Sequence, residues 1–172
     1  MKTFTLIHVV ISLIGILSGF VVLFGMIANK RLDGWTKIFL GTTVATSATG
    51  FGFPVERILP SHIVGAISLV VLALSIYARY GRQLAGAWRK TYVITALMAL
   101  YFNVFVAVVQ AFLKVPSLKA IAPTQSEPAF KITQLTVLLA FVVVTVIAAI
   151  KFKGAPSAGK DVTSIQAPVP SS

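Results

Sequence analysis

The chain has 172 residues, of which 57% are hydrophobic and only 11% charged, and its formal net charge is +11. Soluble domains are about one quarter charged, so this composition excludes an ordinary water-exposed globular surface. The absence of cysteine excludes disulfides, thiolate metal sites, iron–sulfur clusters and cysteine nucleophiles. The basic residues lie mainly between apolar segments, where membrane topology and anionic lipids explain them without a nucleic-acid partner.

Five apolar segments follow one another, each close to the roughly 20 residues that cross a bilayer. In chain order they cover residues 3–28, 38–53, 61–78, 91–113 and 132–150. The first is uncharged and too long for the apolar core of a signal peptide, so we expect it to be retained. The second is the shortest and is rich in threonine, which a bundle tolerates because hydroxyls bond to their own helix or to a neighbour. The pattern predicts an all-α transmembrane bundle over residues 1–153.

Two further segments are predicted not to cross the membrane. The loop at 114–131 contains three prolines, which end the preceding helix and bias the loop toward extended conformations. Residues 154–172 are rich in proline, serine, alanine and glycine and are predicted to form a disordered tail.

The basic residues predict the orientation. With five spans, one side of the membrane receives ten of the fifteen: Lys30, Arg31, Lys37, Arg79, Arg82, Arg89, Lys90, Lys151, Lys153 and Lys160. The positive-inside rule makes this side cytoplasmic, so the N-terminus lies outside and the tail inside. If the second segment were only re-entrant, the two sides of the membrane would receive eight and seven basic residues. Because this division has almost no positive-inside bias, the counts favour five spans. Aromatic residues typical of an interface fall at the same predicted ends: Trp35, Tyr77, Tyr80, Trp88 and Tyr92.

Small residues predict which helix faces pack, because close backbone approach drives association in lipid. The first span carries Gly15 and Gly19, with His8 and Ser12 on the same face. The second carries a stripe of Gly41, Ala45, Ala48 and Gly52, and the fourth one of Ala96, Ala99, Asn103, Ala107 and Gln110. The fifth span has no such stripe, so we expect it at the periphery or against a partner protein.

The polar residues on these faces are the candidates for chemistry. His8, His62 and Gln110 are predicted near the outer surface, beside a loop that contains Glu56 and Arg57, while Asn103 is deeper. The two histidines could be axial ligands of one haem b, since neutral imidazole ligates haem iron. Alternatively, His8 donates a hydrogen bond across the bundle and His62 caps a helix, or an imidazole acts as a protonation switch.

Asn103 and Gln110 lie on one helix face, seven residues apart. They could line a polar path or hold a small ligand, or they could simply bridge helices by hydrogen bonds. No Asp, Glu, Lys or Arg lies within a predicted span, which argues against ion-coupled transport. No hydrolase or phosphate-loop motif is present, so the sequence predicts no catalytic residue and no metal site.

Residues 100–113 (LYFNVFVAVVQAFL), with KVPSLK at 114–119 and APTQSEP at 122–128, resemble small uncharacterised multi-pass membrane proteins of bacteria. This resemblance implies a location in the bacterial inner membrane. A weaker similarity, to haem-b four-helix membrane cytochromes, involves His8, Gly15, Gly19 and KRLDGW at 30–35. That group often has a histidine beside the tryptophan, where this chain has Asp33 and Gly34, so only His8 carries over.

Three functional hypotheses follow. The first is a non-enzymatic assembly or accessory component of a membrane complex, in contact with lipid and with a membrane-protein partner or a second copy of the chain. The second is a haem-b redox protein with His8 and His62 as axial ligands. The third is a small-solute channel along the face of Asn103 and Gln110.

Overall fold

The computed structural model describes residues 2–52 and 60–154, except for the side chains of residues 2 and 60–62. Over these ranges every regular element is helical, which confirms the all-α prediction. The elements are α1 (Lys2–Ile27), α2 (Asp33–Gly50), α3 (Pro60–Ile76) with a π-helical continuation (Tyr77–Gly81), α4 (Trp88–Lys114), α5 (Pro116–Ile121) and α6 (Pro128–Lys151).

Four of the described helices are long and apolar enough to cross a membrane, as an integral membrane protein requires. They are α1, α3 with its π-helical continuation, α4 and α6. The remaining long helix, α2, does not qualify by composition. It begins at the acidic residue Asp33, contains the basic residue Lys37 in its second turn and carries threonines along its length.

Helix α2 nevertheless runs alongside α1 for its full length. Just after the last residue of α2, a Cβ at Gly52 would meet the ring of Phe4 near the start of α1. The middle of α2 lies against Gly15 through Thr42, and Phe39, nearer its start, lies against Gly19. The two helices are therefore antiparallel. At a rise of 1.5 Å per residue, the 18 residues of α2 extend about 27 Å, close to the thickness of a hydrocarbon core.

Helix α4 is the centre of the bundle and contacts α1, α2, α3 and α6. Its inner face is fully buried at Ala96, Leu97, Ala99 and Leu100. The alanines let neighbouring backbones approach closely, as their predicted packing role requires. By contrast α6 packs mainly on α4 and α1, and most of its apolar side chains are exposed, so it lies at the periphery of the described bundle.

The predicted packing stripe on α2 is partly wrong. Gly15 and Gly19 of α1 do lie against neighbouring side chains, and so does Gly52. Gly41, however, is exposed, and a Cβ there would meet no atom within 4 Å among the described residues. Helix α2 instead buries Thr36, Phe39, Leu40, Thr43 and Ser47, while Ala45 is half-buried. Each residue step turns a helix by about 100°, so burying this face turns Gly41 outward.

The loop at 114–131 is more helical than predicted. Prolines Pro116 and Pro128 lie in the first turns of α5 and α6, where the missing N–H costs no intrahelical bond. The expectation of extended structure is therefore wrong over Pro116–Ile121. Three sequence predictions lie outside the described residues: the tail beyond residue 154, the loop pair Glu56 and Arg57, and the side chain of His62.

Candidate functional site: a cavity between four helices

A cavity of about 540 Å³ lies among α1, α2, α3 and α4. Small-molecule sites have volumes of roughly 300–1,000 Å³, so one small molecule fits this space. We call it the bundle cavity. Most of its wall is apolar and includes Val9, Leu13, Ile16, Phe102, Val106 and Ala107.

The polar residues predicted on the inward faces of α1 and α4 meet at this cavity. His8 and Ser12 line it from α1, and Asn103 and Gln110 line it from α4. Helices α2 and α3 add three hydroxyls that the sequence does not mark as functional: Thr46, Ser47 and Ser68. In the sequence they are simply hydroxyl residues within apolar segments. Hydroxyls that bond to their own helix occur in the same setting, so the sequence does not distinguish the two roles.

His8 bonds across the bundle to α2. Its Nδ1 lies 2.8 Å from the hydroxyl oxygen of Thr49, and the imidazole tautomer decides which of the two groups donates. The same hydroxyl lies 2.7 Å from the Ala45 carbonyl oxygen, which can only accept. This contact ties α1 to α2 at the place where the sequence predicts a cross-bundle hydrogen bond of His8.

Side-chain bonds between helices define the deep end of the cavity. Asn103 Nδ2 donates to the Thr43 hydroxyl at 3.3 Å and ties α4 to α2, while the Ser47 hydroxyl donates to Ser68 at 3.2 Å and ties α2 to α3. Beyond this level, Phe39 and Leu100 are fully buried. Nearby, the Thr46 hydroxyl oxygen is buried and has no hydrogen-bond partner among the described residues, so a bound molecule could use it.

Lys114 lies at the other end of the cavity. It is the last residue of α4, is exposed and lines the cavity. His8 lines the same cavity from α1. The sequence predicts Lys114 only as a loop charge, because its position at the end of an apolar segment does not indicate which face of the helix it occupies.

A second polar cluster lies at the opposite end of the bundle, which we call the basic end. It is built around Arg79, whose side chain is 1% exposed. Its guanidinium pairs with Asp33 at the start of α2 and lies 5.0 Å from the centre of the Tyr92 ring. Asp33 also accepts a hydrogen bond from Arg31 Nε at 2.9 Å. This cluster joins α2, the π-helical segment and α4.

The charge state of Asp33 follows from these contacts. Partial desolvation opposes its ionisation, but the hydrogen bond from Arg31 and the positive charges of Arg79 and Arg31 outweigh that penalty. The pKa of Asp33 is therefore lowered from its ordinary value. The carboxylate is the charged partner that a buried guanidinium requires.

Arg79 corrects the prediction that no charged residue lies within a span. The predicted third span ended at residue 78, but the helix continues to Gly81 and buries Arg79 on the way. The carboxylate of Asp33 and the faces of Tyr80 and Tyr92 provide the surroundings that make this burial possible.

Comparison with family models, with curated proteins and with solved structures finds no match for this chain.

Proposed function

We propose that this chain is an integral membrane protein that binds one small amphipathic molecule in the bundle cavity, as a non-enzymatic component of a bacterial inner membrane. The cavity itself carries the proposal. Its walls are mostly apolar, with a few imidazole, amide and hydroxyl groups at defined places, which is the usual make-up of a small-molecule site.

Filling the cavity tests this function. Ala107→Phe adds a ring to the wall of the cavity, whereas Val142→Phe adds the same kind of ring to an exposed position on α6. Native mass spectrometry after release from mild detergent should show one co-purified small molecule per chain in the wild type and in Val142→Phe, and none in Ala107→Phe. Wild-type occupancy in Ala107→Phe would count against binding in this cavity.

The proposal includes α2 as a fifth span, with the basic end in the cytoplasm. Two observations support it: α2 lies antiparallel along α1, and most of the described lysines and arginines lie at one end. Because the chain has no cysteine, single cysteines can be introduced freely. We expect Lys30→Cys, between α1 and α2, and Gln83→Cys, between α3 and α4, to react with a maleimide only from inside, and Ser126→Cys to react with an impermeant maleimide from outside. Reaction of Lys30→Cys and Gln83→Cys from opposite sides would show that α2 does not cross and would contradict five spans.

Haem b is a second candidate occupant because of His8. An imidazole at the wall of a cavity between helices is the kind of group that serves as an axial ligand. The other proposed ligand, His62, has its side chain outside the described residues. A Soret band in the purified protein that is lost in His8→Ala would support haem. Its absence after expression with ample haem would remove this candidate.

The remaining hypotheses have separate tests. The apolar residues beyond Asn103 favour a closed binding cavity over a solute channel, and flux into proteoliposomes that is unchanged in Asn103→Leu would exclude the channel. The accessory role is supported by the exposed apolar face of α6. Blue-native electrophoresis that finds only a monomer in mild detergent would count against a partner.

A further inference from the structure

The charge around the bundle cavity is one-sided. Lys114 is the only charged side chain among the described residues that line it. Within the described part of the chain, both ion pairs involve Asp33 at the basic end, and Lys114 belongs to neither. The described acid of the adjoining loop, Glu127, instead accepts hydrogen bonds from the backbone N–H and the hydroxyl of Thr124.

The cavity also has a direction. Asn103, Gln110 and Lys114 follow one face of α4, at separations of seven and four residues. The eleven residue steps from Asn103 to Lys114 cover about 16.5 Å of helix. Between the two ends the wall is largely apolar, with Val106 and Ala107 on α4 and Leu13 on α1. An ammonium group thus lies at one end of an apolar space that one small molecule would fill.

From this arrangement we infer that the bound molecule is a single-chain amphiphile with an anionic head group. The head group pairs with the Lys114 ammonium, and the apolar chain extends along the cavity toward Asn103. The inference rests on the proposed function and adds the chemical class of the ligand. Charge pairing at the membrane surface supplies the selectivity, and burial of the chain supplies most of the affinity.

Photo-crosslinking in proteoliposomes tests the inference. The two probes are hexadecanoic acid with a mid-chain diazirine and the alcohol of the same length with the diazirine at the same carbon. We expect the acid to label cavity-lining peptides of α1 and α4 about fivefold more than the alcohol, since one lysine near a membrane surface contributes about this factor. Lys114→Gln should reduce acid labelling to the alcohol level, and Lys114→Arg should preserve it.

Lys119→Gln is the matched control, because Lys119 lies on α5, is exposed and does not line the cavity. It should leave labelling unchanged; loss of acid labelling in this variant would mean general surface attraction and would overturn the inference. Equal labelling of the cavity by both probes, unaffected by Lys114→Gln, would overturn the anionic head group but leave the proposed function standing. If neither probe labels peptides of the cavity more strongly than peptides of the exposed face of α6, both this inference and the proposed function fail.

Discussion

Arg79 shows how one residue joins three elements at the basic end. Its guanidinium is buried, and its Nε has no hydrogen-bond partner among the described residues, so its charge depends on Asp33 and on the ring faces of Tyr80 and Tyr92. A buried charge that loses its partner is strongly destabilising, whereas a satisfied pair contributes little. Asp33 is therefore the residue whose removal the bundle should tolerate least at this end.

We predict that Asp33→Asn lowers the free energy of unfolding by about 2 kcal/mol, the range for a hydrogen bond to a charged group. The effect stays below that of a fully buried pair because the Asp33 side chain is 55% exposed. Unfolding by titration with sodium dodecyl sulfate measures it. Asp161→Asn, in the tail outside the described residues, is the control, and equal stability of the two variants would contradict the role of Asp33.

The lowered pKa of Asp33 predicts an acid dependence. Because this pKa is lower in the folded state, the ionised carboxylate stabilises the fold at pH values above its ordinary pKa of 3.8. The contribution is lost as the pH falls through the lower pKa of the folded state. The difference in melting temperature between wild type and Asp33→Asn should therefore be largest near pH 7 and shrink below pH 4. A difference that grows on acidification would show that the sign is wrong.

At the scale of elements, α2 illustrates how hydroxyls take the place of apolar residues in packing. Thr36 and Thr43 are fully buried, and the Thr36 hydroxyl donates to the carbonyl oxygen of Leu32 at 2.8 Å. Thr43 accepts from Asn103, and Ser47 bonds to Ser68. These bonds satisfy the hydroxyls of Thr36, Thr43 and Ser47, so a helix too polar to qualify alone as a span packs against three apolar neighbours.

Helix contacts at glycine give a paired prediction. A Cβ at Gly19 would lie 2.5 Å from Leu100 Cδ1 and 2.9 Å from Phe39 Cε2, both in fully buried side chains. Gly19→Ala should therefore destabilise the bundle by about 1–3 kcal/mol, as overpacking does. Gly41→Ala, which would meet no described atom within 4 Å, should be neutral or slightly stabilising. Detergent unfolding of both variants decides, and equal effects would mean that the α1–α2 contact is wrong.

At the scale of the whole molecule, the cavity exists because α4 contacts every other long helix while α1 and α3 lie on either side of α2. A molecule in this space touches four helices at once. Its binding should therefore stabilise the whole bundle and not one element.

Hexadecanoic acid should raise the melting temperature of the purified wild type. At about 100 times the dissociation constant, mass action adds about 2.7 kcal/mol to the folded state. The same addition should leave Ala107→Phe unchanged, since its cavity is filled, and should still stabilise Val142→Phe. A rise of similar size in all three proteins would point to a general detergent effect.

Membrane character, helical class and the inward faces of α1 and α4 could be predicted from residue order alone. Apolar segments of bilayer length must be helical to satisfy their backbone bonds, and small or polar residues at helical spacing mark a face. Helical spacing predicts His8, Ser12, Asn103 and Gln110 on inward faces, and all four line the bundle cavity.

Only the tertiary structure decided which face of α2 is buried, that Arg79 lies inside the bundle and that Lys114 lines the cavity. Each depends on a partner distant in the chain: Asp33 lies 46 residues from Arg79, and α1 lies across the cavity from Lys114. A periodic pattern shows that a helix has two faces but not which neighbour each face meets. The position of a charge at a helix end is therefore set by packing between helices and not by local sequence.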